Sequence, residues 1–229
     1  MKKTTFVALL LLFSSQCFAE TLNESLKNIE SEWASIYYTF AKDEQGPAYT
    51  RLLEKTEQLV QKFPNKAEPV IWQAVVKATY ADHQDAISAL DAINEARDLL
   101  VKAIAMNPKA MSGSAYVTLG TLYYMVPKWP IGFGDTEEAK KLLETALKIN
   151  PNGIDANYFY GEFLLSTNQL SEAVKYFERA AVAPTGPEQS LADIKLKEEA
   201  KMAIKNVKQR KISGAKSVFL SLFNSASAK

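Results

Sequence analysis

The residues able to do chemistry are few and scattered. His83 is the only histidine, and it stands between Asp82 and Asp85. Zinc or copper would need further nitrogen or sulfur ligands, and no second histidine supplies one. His83 therefore reads as a solvated loop residue. Cys17 is the only cysteine, so no Cys-based metal site or disulfide is expected. Ser213 and Lys216 have the Ser-x-x-Lys spacing of some acyl enzymes, yet they sit in a basic, serine-rich segment with nothing to build a pocket. Gly132-Phe133-Gly134-Asp135 is not a dinucleotide fingerprint: Glu137 stands where a third glycine would be, and no strand precedes it. It reads as a turn leading into a helix cap. Paired carboxylates, a Ser-His-Asp set and a phosphate loop are all missing. With so few general bases and nucleophiles, catalysis is not the expectation, and neither is a cofactor or a metal.

Binding chemistry is better represented. Trp129 and Phe133 lie in a stretch with two prolines and two glycines, Val126 to Asp135. Such a stretch cannot be helical, and Asp135 or Thr136 caps the helix after it. Large apolar rings are unusual in a solvent loop. Together with Tyr123, Tyr124, Tyr158, Phe159 and Phe163 they form either an aromatic binding surface or packing between helices.

The elements that must position these residues are helices throughout. Leu22, Leu26, Ile29, Trp33, Ile36, Tyr37 and Phe40 recur at spacings of three and four. They predict an amphipathic helix from Asn23 to Lys42, with Asn23 as N-cap. Gln45-Gly46-Pro47 predicts a turn, followed by a helix from Ala48 to Lys62. Glu68 to Ala81 is apolar around most of its surface and predicts a helix buried between neighbours. Asp82 to Asp85 breaks the pattern before a long helix that ends near Met106. Leu191 to Lys211 predicts a last helix, rich in lysine on its outer side.

Between Ser114 and Pro184 the punctuation repeats. Tyr116-x2-Leu119-Gly120-x2-Tyr123 is followed by Ala139-x3-Leu143-x2-Ala146-x4-Pro151; Asn157-x2-Tyr160-Gly161-x2-Leu164 is followed by Ala173-x3-Phe177-x2-Ala180 and Pro184. A recurring mid-helix glycine costs roughly 1 kcal/mol against alanine. Close approach of two helix backbones explains it. Ala96-x3-Leu100-x2-Ala103-x4-Pro108 carries the same second-helix signature. This pattern resembles the tetratricopeptide repeat, and Ala139 to Ala173 spans its 34-residue period. The resemblance implies an all-α fold, a right-handed α-α superhelix of TPR-like helical hairpins with a C-terminal capping helix. It also implies a peptide- or protein-binding groove lined by the first helix of each pair. The matching positions include Val117, Thr121, Tyr124, Tyr158, Glu162 and Leu165. The Lys, Arg and Asn clamp of the family's best-known peptide mode is absent from them. A narrower resemblance, carried by the proline-rich loop running into Gly132-Phe133-Gly134-Asp135 and Glu138-Ala139, is to the T component of TRAP transporter systems. Those are periplasmic helical-repeat partners of a solute-binding protein.

Lys2 and Lys3, an apolar run from Phe6 to Phe13, and Cys17-Phe18-Ala19 make a secretory signal peptide cleaved after Ala19. Its loss takes the formal charge from +1 to −1, which argues against a nucleic-acid partner. The expected organisation is a leader at 1–19, a repeat domain at 20–184, a linker and capping helix at 185–212, and a flexible tail at 213–229. Val218 to Phe223 gives that tail an apolar patch suited to weak membrane contact. The expected location is the periplasm. The expected role is a non-catalytic scaffold for another periplasmic or membrane-associated protein, with Thr121, Tyr124, Trp129, Phe133, Tyr158 and Glu162 as binding residues. The alternative is a carrier of an apolar small molecule.

Overall fold

The computed structural model describes residues 21–185 and 190–209. The leader with Cys17, the linker pair Gly186-Pro187, the Ser213-x2-Lys216 spacing and the patch Val218 to Phe223 lie outside the described residues. Within the described residues the chain is all-α. Helices α1 (Leu22–Thr39), α3 (Ala67–Tyr80), α5 (Ser114–Met125) and α7 (Ile154–Ser166) each pair with the helix that follows: α2 (Lys42–Lys62), α4 (Ala86–Met106), α6 (Thr136–Ile149) and α8 (Leu170–Val182). A ninth helix, α9 (Leu191–Lys208), follows the fourth pair. The odd-numbered helices touch one another along an inner row, α1 to α3, α3 to α5, α5 to α7 and α7 to α9.

Two boundaries differ from expectation. Thr21, not Asn23, caps α1: its hydroxyl accepts the Glu24 N–H at 3.3 Å while the Glu24 carboxylate accepts the Thr21 N–H at 2.9 Å. Thr-x-x-Glu is a reciprocal capping box, and it satisfies two donors where Asn23 would satisfy one. Gln45-Gly46-Pro47 is no turn but part of the opening turns of α2. Proline's fixed φ suits the start of a helix, and at Pro47 its missing N–H forfeits only one bond. Gln45 is buried, and its amide donates to the carbonyls of Ile36, Tyr37 and Phe40 at 3.1, 3.3 and 3.3 Å. Those are end-of-helix carbonyls of α1, which have no partner of their own. The side chain of one helix thus closes the other.

The hairpin crossings are as close as the repeating glycines demand. A Cβ on Gly120 would lie 2.7 Å from Leu143 Cγ and 3.2 Å from the Ala139 carbonyl; one on Gly161 would lie 2.8 Å from Phe177 Cε1. Ala139, Ala146, Ala173 and Ala180 are fully buried at the same crossings. His83 is also displaced from its expected role. It is partly buried, tilted on the Tyr49 ring at 5.4 Å, and its pKa is lowered by that burial. It packs rather than standing in solvent.

Helix α9 packs on α8, as a terminal cap should, but it also lies against α7 and meets α1. The last helix of the stack therefore touches the first.

Candidate binding cleft

The packing of α9 on α7 covers some of the residues expected to bind. Thr121 is buried and its hydroxyl donates back to the Val117 carbonyl at 2.8 Å. Tyr158 is buried, 5.7 Å from the Phe177 ring, and its hydroxyl bonds the Glu199 carboxylate of α9. Glu162 is only 4% exposed, with Oε1 buried and lacking a hydrogen-bond partner among the described residues. Tyr124 is partly buried and sets its ring edge-on to Phe163 at 5.8 Å. Tyr158 and Glu162 face Glu199 of α9, and Thr121 is buried in α5, so none of the three is open to solvent. The sequence could not anticipate the burial of Tyr158 and Glu162 against α9, an element some forty residues further along the chain.

The aromatic loop divides in two. Trp129 is 86% exposed and Ile131 is exposed beside it. Phe133 instead packs edge-on to Tyr123 at 5.2 Å, with the Arg97 guanidinium 4.7 Å above its ring. Backbone bonds from Asp135 N–H to the Tyr123 carbonyl and from Gly134 N–H to the Pro127 carbonyl hold the loop closed. Asp135 then caps α6, its carboxylate accepting the N–H groups of Glu137 and Glu138 at 2.9 and 3.0 Å; those bonds lower its pKa. The structure does not bring Trp129 together with Tyr158 or Glu162 in any ring or hydrogen-bond contact.

The inner face does contain a cleft, of about 550 Å³, in the size range of ligand sites. It opens where α1, α3, α5, α7 and α9 converge. Trp33 and Tyr38 enter from α1, Trp72 and Val75 from α3, Val117 from α5, Phe159 from α7 and Leu196 from α9. Of the groove positions implied by the repeat pattern, Val117 is a lining residue. Trp33 is held by its indole N–H, which donates to the Thr79 hydroxyl at 3.1 Å, and its ring stacks on Tyr37 at 5.5 Å. Trp72 lies 6.0 Å from it and Tyr38 is edge-on at 6.3 Å.

The floor of the cleft is unusual in its backbone. Met111 and Ser112 have φ of 47° and 56°, and Gly113 has φ of 88°, three successive residues in the left-handed region. A non-glycine residue there costs about 1–2 kcal/mol. The compensation is visible: Met111 packs against two core clusters at once, one built on α1 to α3 and one on α3 to α5. Gly113 is wedged against Ile149, 3.2 Å from where a Cβ would sit. The sequence offered little sign of this turn beyond Gly113 itself. It offered more for the rings. Three aromatics within six residues of α1, with Trp72 on α3, exceed what a single core stripe requires, yet they read as core.

Acidic groups complete the inner face. Burial, then the nearby Glu199, raises the Glu162 carboxyl to about 8. Burial also raises Glu199, Asp155 and Asp193. Among the described residues no group of three or more His, Cys, Asp or Glu side chains could hold a metal ion. No described helix is long and apolar enough to cross a membrane.

Residues 131–189 match the tetratricopeptide repeat family. No curated protein matches the chain. Among solved structures, the crystal structure of a thermophilic TPR protein of Thermus thermophilus is similar in fold, with a TM-score of 0.53 at 18% identity, over 80% of this chain and 87% of that one. The fold is an all-α, TPR-like stack of helical hairpins.

Proposed function

We propose that this chain is an exported, non-catalytic binding scaffold of the periplasm, and that the cleft on its inner face seats a segment of a protein partner. The observation that carries this reading is the cleft of about 550 Å³ walled by Trp33, Trp72, Tyr38 and Phe159. Large rings in a depression give much contact area for little lost rotamer freedom. Helix-repeat stacks present such inner surfaces to partners. The exposed Trp129 and Ile131 form a separate apolar spot on the loop rim. The leader at 1–19 supports export.

A second reading is an apolar-ligand carrier similar to the T component of a TRAP system. The specific feature in its favour is that α9 meets α1 and supplies Leu196 to the lining, so the cleft is walled from both ends of the stack.

A photo-reactive amino acid placed at Phe159 separates the two. Under the scaffold reading, irradiation in cells that export the protein gives an adduct of protein mass, and the same residue placed at Val182 on the outer surface gives none. Adducts of lipid mass alone would transfer the assignment to the carrier.

A further inference from the structure

We propose that the cleft between α1 and α9 recognises a positively charged group carried on an apolar stem. On the scaffold reading, on which this inference rests, that group is a lysine or arginine side chain of the partner segment. The charge pattern of the lining points there. Its ionisable acids are Glu30 from α1, Asp155 from α7 and Asp193 from α9, and no lysine, arginine or histidine lines it among the described residues. The three carboxylates come from three different helices, and Asp155 and Asp193 lie near enough to act on each other electrostatically. No ion pair to any of them is found among the described residues. Lys197, one turn along α9, acts on Asp193 electrostatically without pairing with it.

The rings supply the rest of the recognition. Trp33, Trp72 and Tyr38 stand at mutual angles rather than in one stack, with Trp33 and Trp72 inclined at 57° and Tyr38 at 84° to Trp33. Their negative faces attract a cation, and they accept its methylene stem as any apolar wall would. Trp33 cannot easily turn away, since Thr79 holds its N–H. An anion would meet the carboxylates and is disfavoured; a neutral apolar group would desolvate them without a counter-charge, Asp155 keeping only backbone N–H partners such as Ala156 at 2.8 Å. Asp155 and Asp193 sit in the first turns of α7 and α9, where the helix dipole favours a carboxylate. Burial nevertheless raises both carboxyls, and a cation seated beside them would offset that desolvation.

Three probes of one stem length and different charge test this: hexylammonium, hexanol and hexanoate. In a Trp129→Phe background the remaining indoles are Trp33 and Trp72, both in the cleft, and their emission reports occupancy. The expected result at pH 7 is hexylammonium binding about tenfold tighter than hexanol, with hexanoate weakest. Glu30→Gln combined with Asp193→Asn, both at partly exposed positions, should bring hexylammonium down to the level of hexanol with helical content unchanged. If that double variant loses helix, Asp193→Asn alone is compared in the same way. Equal binding of the three probes, or an ammonium preference that survives the carboxamide variants, would overturn the proposal. Either outcome would leave the scaffold reading standing if the Phe159 adduct still forms. In cells, sequencing that adduct distinguishes the source. A lysine or arginine in the cross-linked stretch supports the side-chain assignment, and a free organic amine as the adduct would overturn it.

Discussion

The hairpin crossings and the inner face of this stack are built on opposite terms. At the crossings Gly120 meets Leu143 and Gly161 meets Phe177 with no room for one more carbon, and the side chains in contact are apolar. On the inner face, by contrast, polar groups are desolvated: Tyr158 and Glu162 are buried, and Glu199 is partly buried beside them. The crossings gain stability from fitted volume. The inner face forgoes stability by desolvating charge. That difference favours the inner face for the proposed binding, because an incoming partner can improve a costly arrangement and cannot improve a filled one.

The largest expected effect breaks a crossing. Gly161→Val should cost about 3 kcal/mol by overpacking against the Phe177 ring, seen as a lower midpoint in urea with unchanged m-value. Tolerance of valine there would remove the contrast between the regions.

The next effect has the opposite sign and belongs to the inner face. The Glu162 carboxyl sits near 4.5 when unfolded and at about 8 when folded. The folded state therefore holds the proton that the unfolded state has lost, and stability falls as pH rises from about 4.5 to about 8. Glu162→Gln should flatten that slope and stabilise the protein at pH 8 by on the order of 2 kcal/mol. Thermal melts of both proteins across this window measure it. A wild type whose stability from this source rises with pH would contradict the buried-acid account.

The two halves of the aromatic loop give smaller, graded effects. Phe133→Ala loses packing on Tyr123 and beneath Arg97 and should cost about 1–2 kcal/mol. Trp129→Ala should stay within about 0.5 kcal/mol, since its ring touches solvent. Denaturant titration of the two single variants checks this order. Equal losses would mean that Trp129 is packing, contrary to its exposure.

Much of the crossing geometry was legible beforehand, because Gly120, Gly161 and the alanines at seven-residue spacing must face a close neighbour whatever else the chain does. The loop from Val126 to Asp135 was legible too, since two prolines and two glycines forbid a helix. Gln45 was not. A Gln-Gly-Pro triplet has the composition of a turn, and only the unpaired carbonyls of α1, brought alongside by folding, give Gln45 its partners. Nor was the cleft legible. Trp33 and Trp72 lie at positions that also suit a core, and Glu30, Asp155 and Asp193 are 125 and 38 residues apart along the chain.

By itself, then, the sequence determined most of the helical segments, the start of α2 apart, and where consecutive helices cross and how closely, because those features depend on neighbours within one repeat. Tertiary structure alone decided that α9 returns to α1, and with that which inner-face residues are covered and which surround an opening. The reason is range: periodic apolar patterns specify contacts between adjacent elements, whereas closure of a stack depends on rotation accumulated over every hairpin, to which no single residue testifies.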